Sequence, residues 1–150
     1  MRTYLAVIDE TPEAEVAVRF AARRAAKTGG ALHLLALVAP AEFIAFEGVQ
    51  ATLEAEAREA AEALVHRAAG QVVTEAGIVP RLEVRSGDAA DLILATIRDN
   101  REIDALVLGA AASGAPGPLV AHFTAAAGQL PCPLMIVPGS LDTAALDRLS

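Results

Sequence analysis

The chain has 150 residues, 54% of them hydrophobic and 21% charged, with a net charge of −7. That length is one domain with room for a full core, and the hydrophobic share excludes a disordered chain. The acidic balance excludes nucleic acid as the main partner, because phosphate backbones need a basic face. No apolar run approaches the roughly 18 residues that span a bilayer. The sparse aromatics (Tyr4, Phe20, Phe43, Phe46, Phe123) offer no base-stacking platform.

Residues 3–9 read as an apolar strand ending in the acid Asp9. No signal-peptide core precedes it, which implies a cytoplasmic protein. Thr11-Pro12 is an N-cap followed by proline at the first helical position. That helix is predicted to run to about Thr28, with Val16, Phe20 and Ala26 among its apolar positions, and to stop at Gly29-Gly30. Arg19, Arg23, Arg24 and Lys27 share its helical spacing, with Glu15 four residues before Arg19, and read as a solvated face. Residues 31–38 form a second apolar strand interrupted by His33 and ended by Pro40.

The longest connection, residues 39–49, carries Phe43, Ile44 and Phe46. A long acidic helix then spans about 49–76, with Val49, Leu53, Ala57, Ala60, Leu64, Ala68 and Val72 as the predicted inward stripe and Gly77 as its end. In residues 81–86, Leu82 and Val84 alternate with charges, so this strand is half exposed, at a sheet edge. Asp88 and Asp91 stand at capping-box spacing before a helix over 88–100. A strand follows over 103–109 with the apolar run 105–108, then a small-residue loop with Gly109, Gly114 and Gly117, and a helix opened by Pro118. The run Leu134, Met135, Ile136 and Val137 is the last strand, and the polar tail 140–150 holds one more turn around 143–149.

Strand and helix alternate throughout. Short connections and buried strands predict a single α/β domain over 1–150, a doubly wound parallel sheet with helices on both faces. In such a sheet the cleft opens beyond the carboxyl ends of the strands, where the winding reverses. A glycine loop leading to a helix N-terminus at that place presents free amides and a favourable dipole to phosphate. Asp9 at the same edge can hydrogen-bond a ribose hydroxyl or cap the turn into the first helix. The loop can equally be a tight lead into its helix, with Gly117 as N-cap and Pro118 at N1. It contains no lysine or arginine. There is no GxxxxGK[ST], and no GxGxxG follows the first strand. His33, His66 and His122 lack ligand spacing, so no metal site is expected. No GxSxG elbow is present, and the carboxylates Glu54/Glu56 and Glu59/Glu62 read as surface helix features, so no catalytic constellation emerges. Cys132, the single cysteine, lies between Pro131 and Pro133 and reads as a buried small hydrophobe.

Along essentially its whole length the chain resembles the universal stress proteins. The matching pieces are Val7-Ile8-Asp9 with Thr11 two residues on, Arg85-Ser-Gly87-Asp88, the strand from Ile103 into Gly109, and Leu130-Pro-Cys-Pro-Leu-Met-Ile-Val137. The resemblance implies a five-stranded parallel sheet of order 3-2-1-4-5, a homodimer paired through the last strand (Leu134, Met135, Ile136, Val137), and no settled enzymatic activity. Many members bind ATP and others do not. The implied ligand is therefore an adenine nucleotide, ATP or AMP, with Val7, Asp9, Val38, Gly109, Gly114, Gly117 and Leu119 around it. Val38 would meet adenine through its backbone, and Asp9 would take the ribose. ATP-binding members carry glycine, two residues, glycine, nine residues, glycine, then serine or threonine. Here Gly109 matches the first glycine, but position 112 is Ala112. The final pair falls on Val120 and Ala121 without a gap, or on Gly117 and Pro118 with a shortened loop. Starting from Gly114 and Gly117 instead leads to Ala127, so no register satisfies the motif. The same fold without nucleotide, acting as a protein-interaction module, is the alternative. A nucleotide hydrolase would need a pyrophosphate loop that Asp9-Glu10-Thr11-Pro12 does not supply.

Overall fold

The computed structural model describes residues 1–39 and 47–150, with side chains from 51 onward in the second segment. Pro40, Phe43, Ile44, Phe46 and the side chain of Val49 lie outside the described residues. The order is β1 (Thr3–Ile8), α1 (Pro12–Thr28), β2 (Ala31–Val38), α2 (Glu47–Ala76), β3 (Arg81–Ser86), α3 (Ala89–Asp99), β4 (Ile103–Ala110), α4 (Pro118–Ala125), β5 (Leu134–Pro138) and α5 (Thr143–Leu149). The strands form one parallel sheet of order β3-β2-β1-β4-β5, as expected.

Alternation along the strands sends successive side chains to opposite faces. Tyr4, Ala6, Ile8, Leu34 and Val107 pack under α1, α2 and α5, while Leu5, Val7, Leu35, Leu106 and Leu108 pack under α3 and α4. The predicted caps are present. Thr11 Oγ1 accepts from the Ala14 amide, Asp88 caps α3 through the Asp91 amide, and Gly29 ends α1 in the left-handed conformation. Among the described residues no helix is long and apolar enough to cross a membrane.

Three expectations change. On α1, Ala26 faces solvent and Val16 is half-buried; the buried stripe is Ala14, Ala17, Val18, Ala21, Ala22 and Ala25 beside Phe20. On α2, Leu53, Ala57 and Ala60 are exposed, and the buried positions are Ala61, Val65, Ala68 and Val72, with Leu64 half-buried. Steps of four, three and four keep pace with the helical repeat, whereas repeated steps of four drift around the helix. Length matters as well. A 30-residue helix is about 45 Å long, while the eight-residue β2 is about 26 Å. Residues 51–60 therefore overhang the carboxyl edge of the sheet and are exposed throughout.

The third change concerns the arginines of α1. Arg23 is buried rather than solvated: its Nε donates to Asp147 at 2.7 Å and its second guanidinium nitrogen to Glu75 at 2.8 Å. Arg19 donates to Glu75 and Thr143, and Lys27 to the Asp147 carbonyl and Ser150. The polar tail thereby becomes a docked helix, α5, whose Leu146 is fully buried. Cys132 is half-buried against the second core layer, and burial pushes its thiol up.

His33 is buried on the face under α3, with Nε2 2.7 Å from Glu83 Oε2 and no partner for Nδ1. Glu83 also accepts from Arg85 at 2.6 Å, and Arg85 donates to Asp99. A neutral ring protonated on Nε2 satisfies the carboxylate and leaves only a lone pair unpaired, while an imidazolium would bury an unpaired N–H. Burial holds His33 below the ordinary histidine value against the pull of Glu83. For Glu83, burial is outweighed by Arg85 and His33, which hold it below the ordinary carboxylate range. In both cases the unfolded chain binds more protons in the acid window, so stability rises with pH. The melting temperature is expected to fall as pH drops from about 7.5 to about 5.5, and His33→Gln, which keeps a donor to Glu83, to flatten that slope. Thermal melts across this range decide it; an equal slope in the variant would clear His33.

Candidate functional site

At the carboxyl edge, where β1 and β4 are neighbours and the winding reverses, a cleft of about 130 Å³ opens between α1 and α4. Its walls include Val7, Asp9, Thr11, Glu13, Gly109, Gly117, Pro118, Leu119 and Val120. Five of the seven residues expected around a ligand thus come together: Val7, Asp9, Gly109, Gly117 and Leu119. Gly114, exposed in the loop at φ +73°, is not among the lining residues. Val38 lines a different hollow, one strand beyond β1, with Ala39, Arg58 and Ser86, and its carbonyl already accepts from the Gly87 amide at 3.0 Å.

Asp9 is tied into the helix start. Its Oδ1 accepts from the Thr11 amide at 2.8 Å and from the Thr11 hydroxyl, which in turn caps α1. Capping and ligand binding do not compete for one atom: Oδ2 makes no hydrogen bond to the described residues, and Asp9 is exposed.

The α4 side supplies donors. The Ala111 amide bonds the Pro116 carbonyl at 3.0 Å and pinches the loop, which delivers the chain to Gly117. Gly117 is the N-cap at φ +112°, a conformation glycine tolerates, and no side chain caps the helix. Pro118 at N1 has no N–H, so the unpaired amides of the first turn are those of Leu119 and Val120. Two carboxylates, Asp9 and Glu13, face this helix start, and no lysine or arginine lines the cleft. Thr11, Glu13 and Val120 were not among the expected site residues; the position of Glu13, in the first turn of a helix that begins at the cleft, was the available signal. Among the described residues no group of histidine, cysteine and carboxylate side chains could hold a metal.

Gly109 has a reason independent of any ligand. A Cβ there would lie 2.0 Å from the Glu13 carbonyl oxygen and 3.2 Å from the Ala14 amide nitrogen. The first turn of α1 rests on the backbone of β4 at that point. At Gly114 and Gly117 a Cβ would meet nothing within 4 Å. Gly109→Ala is therefore expected to lower stability by about 3 kcal/mol through overpacking, and Gly114→Ala by about 1 kcal/mol through its positive φ. Chemical denaturation without any ligand measures both; equal small effects would contradict the close approach.

Residues 1–138 match the universal stress protein family. No curated protein is detectably similar in sequence. Among solved structures, the chain is similar to universal stress protein UspA from Lactobacillus plantarum at 19% identity, with a TM-score of 0.77 over 91% of this chain and 97% of that one. A universal stress protein family protein from Arabidopsis thaliana, solved with AMP bound, is 16% identical with a TM-score of 0.63, covering 92% of each chain. A universal stress protein in complex with cAMP is 16% identical with a TM-score of 0.62, covering 93% and 98%.

Proposed function

The chain belongs to the universal stress protein family, and on that premise we propose that it is a cytoplasmic, non-catalytic dimer whose β1–β4 cleft binds an adenine nucleotide, AMP in preference to ATP. The observation that carries the reading is the pairing of a free carboxylate oxygen on Asp9 with the open N-terminus of α4 across one cleft. Asp9 Oδ2 accepts a ribose hydroxyl. The Leu119 and Val120 amides and the α4 dipole take one phosphate. Further phosphates meet Asp9 and Glu13 with no cation to offset them. The AMP and cAMP complexes of the two solved relatives support an adenine ligand of low charge. Signalling through the occupied or empty cleft is the function this reading assigns.

Calorimetric titration tests it. AMP is expected to bind more tightly than ATP, and Pro118→Ser, which adds an N–H and a hydroxyl at the helix start, to tighten AMP by about ten-fold. No binding of AMP at millimolar concentration overturns the reading and leaves the second one, a nucleotide-free interaction module of the same fold.

The exposed strand favours self-association under either reading. Among the described residues β5 bonds only to β4, so its other edge carries unpaired backbone groups, and Ile136 is 40% exposed. We propose that two copies pair along Leu134, Met135, Ile136 and Val137. Ile136→Lys is expected to convert a dimer to a monomer in analytical ultracentrifugation; a dimer of unchanged affinity would place the interface elsewhere.

A further inference from the structure

At the amino end of the sheet, opposite the cleft, an open hollow of about 320 Å³ lies where α3 ends and β4 begins. It is lined by Ile97 and Arg98 of α3, by Arg101 and Ile103 at the entry to β4, and by Pro131 from the connection between α4 and β5. Sites for small ligands begin at about this size, roughly 300 Å³. No carboxylate is among the lining residues. Arg98 and Arg101 are exposed, and among the described residues neither has a hydrogen bond or an ion pair. The acids nearest to them in sequence are committed elsewhere. Asp99 pairs with Arg85 at 3.0 Å, Glu102 pairs with Arg81 at 3.4 Å, and Asp104 accepts from the Thr3 amide at 3.1 Å. Arg98, in the last turn of α3, meets the negative end of the helix dipole, which accounts for one cation. Arg101 lies past the helix end, where that account no longer reaches.

The backbone that carries the two arginines is held in place. The Asn100 amide and Nδ2 both donate to the Thr96 carbonyl, at 3.1 and 2.8 Å, and Asn100 Oδ1 accepts from Arg81 at 2.9 Å. The Ile103 amide then bonds the Asn100 carbonyl at 3.0 Å and closes the turn. Ile97 and Ile103 belong to the second core layer, so the floor of the hollow is the rigid edge of the core. Two cations with no acid beside them call for an anion of matching charge. A carboxylate carries one charge and fills one guanidinium fork. A phosphate monoester carries about −1.5 to −2 at neutral pH and three acceptor oxygens, enough for two forks.

We propose that this hollow binds a small phosphate monoester, with Arg98 and Arg101 on the phosphate and the organic group against Ile97, Ile103 and Pro131. The site is separate from the β1–β4 cleft and does not rest on the nucleotide reading.

Phenyl phosphate is the probe, titrated at constant ionic strength into nitrogen-15-labelled protein and followed by amide chemical shifts. Saturable shifts are expected in residues 98–103 and at Cys132, beside Pro131. Inorganic phosphate, which lacks the organic group, and benzoate, which carries one charge, are each expected to bind about five-fold more weakly. Arg98→Gln and Arg101→Gln are each expected to weaken phenyl phosphate about five-fold as well. Both positions are exposed, and an amide spectrum unchanged away from the substituted residue verifies that the fold is kept. The proposal is overturned by the absence of saturable shifts at millimolar probe, by binding that either variant leaves unchanged, or by benzoate or inorganic phosphate matching phenyl phosphate. Shifts confined to Leu119 and Val120 at the start of α4 overturn it too, while supporting a phosphate site in the cleft, so the two readings fail separately.

Discussion

The contact on which the carboxyl edge depends is backbone against backbone: the first turn of α1 lies on the end of β4. Glu13 meets Gly109 there, and it meets Gly139 just past β5, where a Cβ would come within 2.9 Å of the Glu13 side chain and 2.7 Å of the Ala110 carbonyl. Two glycines at the ends of adjacent strands let a helix start settle lower than any side chain would allow. That approach brings Asp9, Thr11 and Glu13 to one wall of the cleft, with α4 at the other. The modest cleft volume follows from the same contact, because the floor is backbone and the walls are first turns of helices.

Charge then decides what such a cleft can hold. Cations are present at this edge, but on α2 rather than in the cleft. Arg67 lines the hollow between α1 and α2, and Arg58 the one beside Val38. Between β1 and β4 only amides and a helix dipole oppose the acids Asp9 and Glu13. Under the reading proposed above, such a site would stabilise one phosphate through directed hydrogen bonds. It does not offset the charge of a chain of phosphates, which in other folds is met by lysine, arginine or a metal ion.

Much of this was legible in the sequence, because the relevant signals are local. Thr11-Pro12, Asp88 and Gly29 mark their helix ends by hydrogen bonds formed within a turn, and the strands are short apolar runs that period and length identify. The strand order came with the family resemblance, not with the residues. What stayed hidden depends on distant partners. Gly109 reads as a ligand glycine until the Glu13 carbonyl, far away in sequence, is seen against it. Arg23 reads as a solvated residue until Glu75 and Asp147 close on it from two other helices. The outer half of α2 carries apolar residues at helical spacing, yet no periodicity tells that the sheet ends beneath them.

The C-terminal helix depends on distant partners in the same way. Residues 1–138 carry the family match, but α5 lies beyond them and is not an appendage. Its Leu146 belongs to the same core layer as Tyr4 and Val137, with Met135 and Leu141 packed against that layer. The forked contacts of Arg23 tie α5 to α1 and α2 together. One face of the edge strand β5 is therefore sealed, while Ile136 on the opposite face remains open. On the pairing proposed above, a second copy that adds to β5 would meet the bare backbone edge and the Ile136 face. The short polar segment 143–149 thus completes the core layer beneath one face of β5.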